Sequence, residues 1–123
     1  MVIGVGTDLL KAERIMSLSP DDRFFENVFT RKEQEQAQKS RDPFRYYASH
    51  FSGKEAVFKA LNAHPDHIRL NEIEILNDDT GRPHVYLYGN VREHAQKAGI
   101  ARVLISLSWE TDYCSAFAVA ESE

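Results

Sequence analysis

The strongest helical repeat in the chain spans residues 43–62. Its apolar side chains recur at positions i, i+3, i+4 and i+7, beginning at Phe44 and reaching Phe51. Pro43 fits the first turn of such a helix, where its missing N–H removes no helical hydrogen bond. The pattern therefore predicts one helix, about 30 Å long at ~1.5 Å per residue, that serves as the spine of the fold.

The segment before this helix predicts shorter elements. An apolar run at residues 2–6 predicts a strand, and the spacing over residues 9–18 predicts a helix. Asp8 lies between the two, where it could act as the N-cap of that helix. Thr30 and Glu33 form a capping-box pattern, which predicts a further helix that continues to about residue 39.

After residue 72 the apolar period changes from that of a helix to that of strands. A segment rich in turn-forming residues separates the first two strands, as expected for a hairpin. The predicted elements are strands at 73–75, 84–88, 102–108 and 113–120, and a helix at 91–98. The order of elements predicts an α+β fold for residues 1–123 as one domain, with an antiparallel sheet wrapped around the long helix.

The bulk properties of the chain narrow its possible classes. A length of 123 residues fits one domain, and no apolar run approaches the ~20 residues of a membrane span. The N-terminus lacks the pattern of a secretory signal, and the single cysteine, Cys114, has no partner for an internal disulfide. Cys114 is predicted to be a small core residue. These features predict a cytoplasmic protein without membrane contact.

The net charge of −4 argues against nucleic acid as the main partner. The charge is uneven, however, because residues 1–61 hold ten of the fifteen Lys and Arg residues. An acidic partner or a phosphorylated ligand could therefore bind the helical half of the chain.

Charged residues in the middle of the long helix suggest chemistry. Glu55 and Lys59 are spaced i,i+4, so they could be an ordinary surface pair worth about 0.2–0.5 kcal/mol. Lys54, however, falls inside the apolar arc, where it must either extend its ammonium group to the rim or meet an anion. Two lysines around one carboxylate also suit a bound polyphosphate with a divalent cation.

These residues carry a resemblance to a known family. The stretch F-x-x-K-E-A-x-x-K-A, which begins at Phe51, is similar to the hallmark of the 4′-phosphopantetheinyl transferase superfamily, and the short chain resembles its holo-acyl-carrier-protein synthase branch. The G-x-D that ends at Asp8, the Gly-Arg-Pro turn that ends at Pro83 and the final hairpin also resemble that family, so the likeness covers nearly the whole chain.

The resemblance implies the 4′-phosphopantetheinyl transferase fold and a Mg²⁺-dependent transfer of 4′-phosphopantetheine from coenzyme A to a serine of an apo acyl carrier protein, with release of 3′,5′-ADP. It implies that Asp8 and Glu55 bind the Mg²⁺ ion and that Lys54 and Lys59 contact phosphates. Glu55 and Lys59 are then the catalytic residues.

The resemblance also assigns coenzyme A contacts to Pro83, Ser108 and Trp109. The family usually has a histidine, reported to contact the coenzyme A nucleotide, at the position of Trp109. A tryptophan could stack on adenine, but it cannot offer a phosphate a positive charge. A role in a subunit boundary is the alternative for Trp109.

Carrier-protein docking is assigned, again by resemblance, to Arg14, Arg23, Phe24 and Phe25. Relatives of this length are typically homotrimers with active sites at subunit boundaries. Two other hypotheses remain at this point: a catalytically weak member of the family, because of Trp109, and a non-enzymatic α+β binding module in which the charged stripe is only solvated.

Overall fold

A computed structural model describes residues 1–123, except for the side chain of His67. The elements, in chain order, are β1 (Val2–Lys11), α1 (Glu13–Met16), α2 (Arg23–Val28), α3 (Arg31–Lys39), α4 (Pro43–Ala60), β2 (Ile73–Asn77), β3 (Pro83–Leu87), α5 (Gly89–Lys97), β4 (Arg102–Glu110) and β5 (Tyr113–Glu121). Two short 3₁₀ turns, Pro65–His67 and Leu70–Glu72, connect α4 to β2. Within the described residues, none of the helices combines the length and the apolar character needed to cross a membrane.

The strands form two antiparallel sheets. One sheet has the order β1-β5-β4, and the other pairs β2 with β3. In the first sheet Asp8 and Leu107 both lie opposite Ala116, so these three residues form one row across the strands. The α+β class is confirmed, but the predicted sheet is divided, and a groove lined by β3, α5 and β4 lies between its two parts.

Helix α4 packs against the three-stranded sheet at very short range. The inward positions of β5 hold only small residues: Cys114, Ala116, Ala118 and Ala120, all buried. On β1, a Cβ atom at Gly6 would lie 2.0 Å from the carbonyl oxygen of Ala56, and one at Gly4 would lie 2.1 Å from that of Ala60. Small residues on the sheet therefore let the helix backbone approach it.

The structure corrects the prediction for residues 9–18. Strand β1 continues to Lys11, and the helix after it is only the four residues of α1. The reason is that β1 pairs with β5 along its whole length, as far as Lys11 opposite Tyr113, and this pairing outweighs the local helical pattern. Asp8 therefore lies inside a strand, and its interpretation as a helix N-cap is wrong.

Locally encoded elements agree with the prediction. Thr30 and Glu33 form the predicted capping box at the start of α3, which ends at Lys39 as expected. Helix α4 begins at Pro43 and ends at Ala60, two residues before the predicted end. Cys114 is buried, and burial raises the pKa of its thiol to about 11, as suits a core residue rather than a nucleophile.

Candidate active site

One face of α4 meets the inward side of β1 and brings together the charged residues of the hallmark stretch. Ser52, Glu55 and Lys59 lie at positions i, i+3 and i+7 of α4, so they share a face. Asp8 reaches this face from β1, where one of its oxygens accepts a 2.8 Å hydrogen bond from the Ser52 hydroxyl. Because Ser52 is fully buried, it holds the carboxylate of Asp8 in a defined orientation.

Lys59 closes the same site from the solvent side. Its ammonium nitrogen donates a 3.0 Å hydrogen bond to the carbonyl oxygen of Thr7 and lies 3.7 Å from the other carboxylate oxygen of Asp8. The Lys59 side chain is 53% exposed, whereas that of Asp8 is 16% exposed. The positive charge is therefore at the mouth of the site, where a charged ligand can reach it.

The surroundings of Glu55 disfavour its ionised form. Burial raises the pKa of Glu55, the charge of Asp8 raises it further, and Lys59 and Arg14 lower it. The net shift is upward, so the nearby cations do not fully compensate the carboxylate pair. Such a half-buried acidic pair gains stability from a divalent cation.

The chemistry of this donor set fits Mg²⁺. Within the part of the chain that the structure describes, there is no group of three or more His, Cys, Asp or Glu side chains that could hold a metal ion. Zinc sites need three or four protein ligands, whereas Mg²⁺ usually takes one or two carboxylates and completes its shell with water and phosphate oxygens. Asp8 and Glu55 match the second case.

Lys54 is not at this site. Its side chain is fully buried, and its ammonium nitrogen lies 2.7 Å from a carboxylate oxygen of Glu33, whose side chain is also fully buried. It donates two further hydrogen bonds, to the carbonyl oxygens of Leu70 and Ile73. All three donors of the ammonium group are thus used inside the protein. The assignment of Lys54 to coenzyme A phosphates is corrected: the anion that meets it is Glu33.

Both carboxylate oxygens of Glu33 also have hydrogen-bond partners. One of its oxygens accepts from the Thr30 amide at 2.8 Å, and the other accepts from the Ile75 amide at 2.8 Å. Burial raises the pKa of Glu33 and lowers the pKa of Lys54, while their mutual attraction opposes both shifts. The pair joins α3, α4 and β2, so its role is to hold these elements together.

A cavity lies beside the site of Asp8 and Lys59, at the start of α4. It measures about 740 Å³ and is lined by residues that include Arg41, Arg45, Pro83, Ser108 and Trp109. Ser108 also lines a smaller cleft, of about 480 Å³, that contains Asp8 and Lys59. The structure therefore brings Pro83, Ser108 and Trp109, three of the five residues predicted to bind coenzyme A, into one cavity next to the carboxylate site.

The inner wall of this cavity is neutral. His50 is buried and stacks on Tyr46, with ring centroids 3.7 Å apart and planes 11° apart. Its two ring nitrogens lie 2.9 Å from the Tyr46 carbonyl oxygen and 3.2 Å from the side-chain oxygen of Asn77. Burial lowers the pKa of His50 to about 4, so this imidazole carries no charge near neutral pH.

The residues predicted for carrier docking separate into two groups. Arg14 and Arg23 are exposed, and the charge of Arg14 acts on Glu55, which places Arg14 near the site. Phe25 is only 5% exposed and packs on Phe29 and Tyr47, so its assignment to a docking surface is corrected. Phe24 is half-buried in the same aromatic cluster.

Sequence reasoning missed three residues that matter here: Ser52, Glu33 and Arg45. Ser52 is a polar residue of the long helix and lies three positions before Glu55. That spacing was the signal that could have identified it as part of the site. Glu33 was recognised only as half of a capping box. Nothing in the chain pointed to Arg45, whose guanidinium carbon lies 4.5 Å over the ring of Trp109.

The chain is similar to known proteins over nearly its whole length. The family model described as 4′-phosphopantetheinyl transferase superfamily matches residues 4–118. A holo-[acyl-carrier-protein] synthase of Caldanaerobacter subterraneus is 36% identical over 121 residues, which cover 98% of this chain and 95% of that protein.

Solved structures show the same likeness. Holo-[acyl-carrier-protein] synthase from Neisseria meningitidis is 30% identical, with a TM-score of 0.89, over 99% of this chain and 100% of the other. An ACPS–CoA complex of Chronobacterium ammoniagenes is 29% identical, with a TM-score of 0.86, over 100% of this chain and 98% of the other.

Proposed function

Since this chain belongs to the 4′-phosphopantetheinyl transferase superfamily, we propose that it transfers 4′-phosphopantetheine from coenzyme A to a serine hydroxyl of an apo acyl carrier protein. Its relatives are named holo-[acyl-carrier-protein] synthases, and one of their structures is a complex with coenzyme A. The observation that carries the proposal is the meeting of Asp8, Glu55 and Lys59 at one open site.

The reaction is a phosphoryl-type transfer. The serine oxygen forms a bond to the phosphorus that bears the pantetheine arm, and the bond from that phosphorus to the bridging oxygen of 3′,5′-ADP breaks. The hydroxyl proton leaves to a base, and the leaving phosphate keeps the electron pair. In such reactions the protein contributes mainly positioning and stabilisation of charge.

The described residues divide these tasks. Asp8 and Glu55 would hold Mg²⁺, which neutralises charge on the diphosphate when it is bound. Ser52 fixes the direction of the Asp8 carboxylate through its 2.8 Å hydrogen bond. Lys59, exposed at the mouth, is placed to stabilise the negative charge on the phosphates. Pro83, Ser108 and Trp109 line the neighbouring cavity, which would take the rest of coenzyme A.

One assay tests this function directly. The purified protein is incubated with coenzyme A, Mg²⁺ and an apo acyl carrier protein, and the mass of the carrier is measured by mass spectrometry. A gain equal to one phosphopantetheine group on the carrier, with formation of 3′,5′-ADP, is the expected result. A protein that binds coenzyme A but never modifies a carrier would instead be the catalytically weak relative or the binding module.

Carrier docking is proposed to use Arg14, with Arg23 beside it in the same half of the chain. Charge reversal in Arg14→Glu is expected to raise the apparent KM for the carrier protein and to weaken its dependence on salt, because charges at the rim of an interface act mainly on encounter. Steady-state kinetics at several ionic strengths measure this. An unchanged KM for the carrier protein would show that the docking surface lies elsewhere on the protein.

A homotrimer is also part of the proposal. The outer face of the three-stranded sheet exposes apolar side chains, including Leu9 (71% exposed), Val5 (57%), Leu104 (50%) and Phe117 (47%). Val5 and Leu104 both lie opposite Val119, so the patch crosses all three strands. Leu9 and Phe117 also line the cleft that contains Asp8 and Lys59. Other copies that cover this face would therefore enclose the active site.

Phe117→Lys tests the assembly. The charge is expected to separate the subunits and to lower activity, because the cleft would lose a wall. Sedimentation equilibrium gives the mass of each species, and a wild-type protein that is monomeric at assay concentrations would contradict the trimer.

A cytoplasmic location completes the proposal, in agreement with a single reduced cysteine, and cell fractionation tests it.

A further inference from the structure

The two carboxylate oxygens of Asp8 have different surroundings. One accepts the 2.8 Å hydrogen bond from the hydroxyl of Ser52, a residue of α4 that is fully buried. The other lies 3.7 Å from the ammonium nitrogen of Lys59, which is longer than a hydrogen bond. That ammonium group donates instead to the carbonyl oxygen of Thr7, at 3.0 Å. Asp8 therefore has one oxygen bound inside the protein and one oxygen open to a ligand in the cleft.

The packing of α4 on the sheet fixes this arrangement. The neighbouring Gly53 has no room for a side chain, because an added Cβ atom would lie 2.8 Å from a methyl carbon of Ile75. Asp8 lies opposite Ala116 in the continuous pairing of β1 with β5. Neither backbone is free to move away from the other. The carboxylate of Asp8 therefore cannot turn without breaking its hydrogen bond to Ser52.

Divalent cations differ in the way they use a carboxylate. Mg²⁺ binds oxygens at about 2.0–2.1 Å in a nearly ideal octahedron. The two oxygens of one carboxylate are closer to each other than adjacent corners of that octahedron, so a carboxylate offers Mg²⁺ only one of them. Ca²⁺ binds about six to eight oxygens at about 2.3–2.6 Å in a flexible shell, and a carboxylate can bind it through both oxygens. A carboxylate with a single free oxygen therefore suits Mg²⁺ better than Ca²⁺.

We infer that Ser52 makes the site selective for Mg²⁺ over Ca²⁺, because it holds one oxygen of Asp8 and limits that carboxylate to one bond with the ion. The inference rests on the proposed function, in which Asp8 and Glu55 hold the ion. Ser52 acts through Asp8, so it is a positioning residue. The charge of Lys59 does not supply this selectivity, because it repels two ions of equal charge alike.

Mn²⁺ is the probe that tests the selectivity without turnover, because it accepts the same octahedral oxygen shell as Mg²⁺. The protein is mixed with coenzyme A and no carrier protein, and the electron paramagnetic resonance signal of free Mn²⁺ measures how much of the ion is bound. Mg²⁺ or Ca²⁺ is then added, and the concentration that releases Mn²⁺ gives the dissociation constant of each ion. Titrations without protein correct for ions that coenzyme A binds alone. The wild type is expected to bind Mg²⁺ more tightly than Ca²⁺.

Ser52→Ala is expected to lower the ratio of the Ca²⁺ dissociation constant to the Mg²⁺ dissociation constant roughly tenfold, the scale on which partners of metal ligands influence affinity. The carboxylate of Asp8 is then free to turn and to offer Ca²⁺ both oxygens, while Mg²⁺ binding changes less. Ser52→Cys keeps a side chain of similar size with a weaker donor, so its ratio should lie between the two. Ser19→Ala removes the hydroxyl of an exposed serine that donates to Asp21, and this matched control should keep the wild-type ratio.

The ratio separates selectivity from support of the fold. An unchanged ratio in Ser52→Ala, or equal weakening of both ions, would overturn the inference while the proposed function stands. A wild type that binds no Mn²⁺ in the presence of coenzyme A would refute the metal site and the inference together. Selective binding of Mg²⁺ without any modification of a carrier protein would instead count against the proposed function and support the inference. Circular dichroism shows that each variant is folded.

Discussion

Asp8→Asn and Glu55→Gln are each expected to lower turnover by roughly 10²- to 10³-fold or more, the scale on which single electrostatic contributions to a transition state are lost. Both changes keep the size and shape of the side chain. Burial, and after it the charge of Asp8, raises the pKa of Glu55, and either change removes the repulsion between the two carboxylates. The melting temperature should therefore stay the same or rise. The measurements are initial rates over a series of Mg²⁺ concentrations and thermal melting by circular dichroism.

The pattern of the Mg²⁺ dependence distinguishes a metal ligand from a residue that only stabilises the fold. A lost ligand is expected to raise the Mg²⁺ concentration needed for half-maximal rate, whereas Ser52→Ala, which leaves both carboxylates in place, should have a smaller effect. Glu93→Gln removes a carboxylate from an exposed pair with Lys97 on α5 and serves as the control. Near-wild-type rates in either Asp8→Asn or Glu55→Gln at limiting Mg²⁺ would show that the metal site is wrongly assigned.

Lys54→Met is expected to destabilise the protein by about 3–5 kcal/mol, because it leaves the Glu33 carboxylate buried without its partner. That loss is a large fraction of the ~5–15 kcal/mol by which domains of this kind are stable. Urea denaturation measures it. The double variant Glu33→Gln, Lys54→Met should recover much of the lost free energy, since residue 33 then carries no buried charge that lacks its partner.

The same variants decide between two roles for Lys54. If Lys54 is structural, its substitution lowers the free energy of unfolding and leaves the KM for coenzyme A unchanged in the fraction that stays folded. If Lys54 binds phosphate, its substitution raises that KM and leaves the free energy of unfolding unchanged. Stability within ~0.5 kcal/mol of wild type together with a raised KM would therefore contradict the buried ion pair, because that range is typical of surface substitutions.

Local patterns were sufficient for the elements that residues close in the chain can specify. The apolar repeat and Pro43 predicted α4 to within two residues of its end, and the side chains of Thr30 and Glu33 alone specify the start of α3. The hairpin of β2 and β3 likewise follows from its alternation and its turn. In each case the stabilising contacts are made within a few residues, so the sequence carries the signal directly.

Contacts between segments distant in the chain determined the extent of β1, the partner of Lys54 and the surroundings of Arg45. Residues 9–11 became strand because β5, more than a hundred residues later, pairs with them, and Asp8 gained its place at the site through that pairing. Lys54 was recognisable from sequence as a charge on an apolar face, but whether its anion would be a ligand or Glu33 depended on how α3 packs on α4. The contact of Arg45 with Trp109 joins two segments that share no local pattern. The sequence alone determined α3, α4, the hairpins and the family, because neighbouring residues specify them; the packing of distant segments determined which charges face the interior and which lie at the open site.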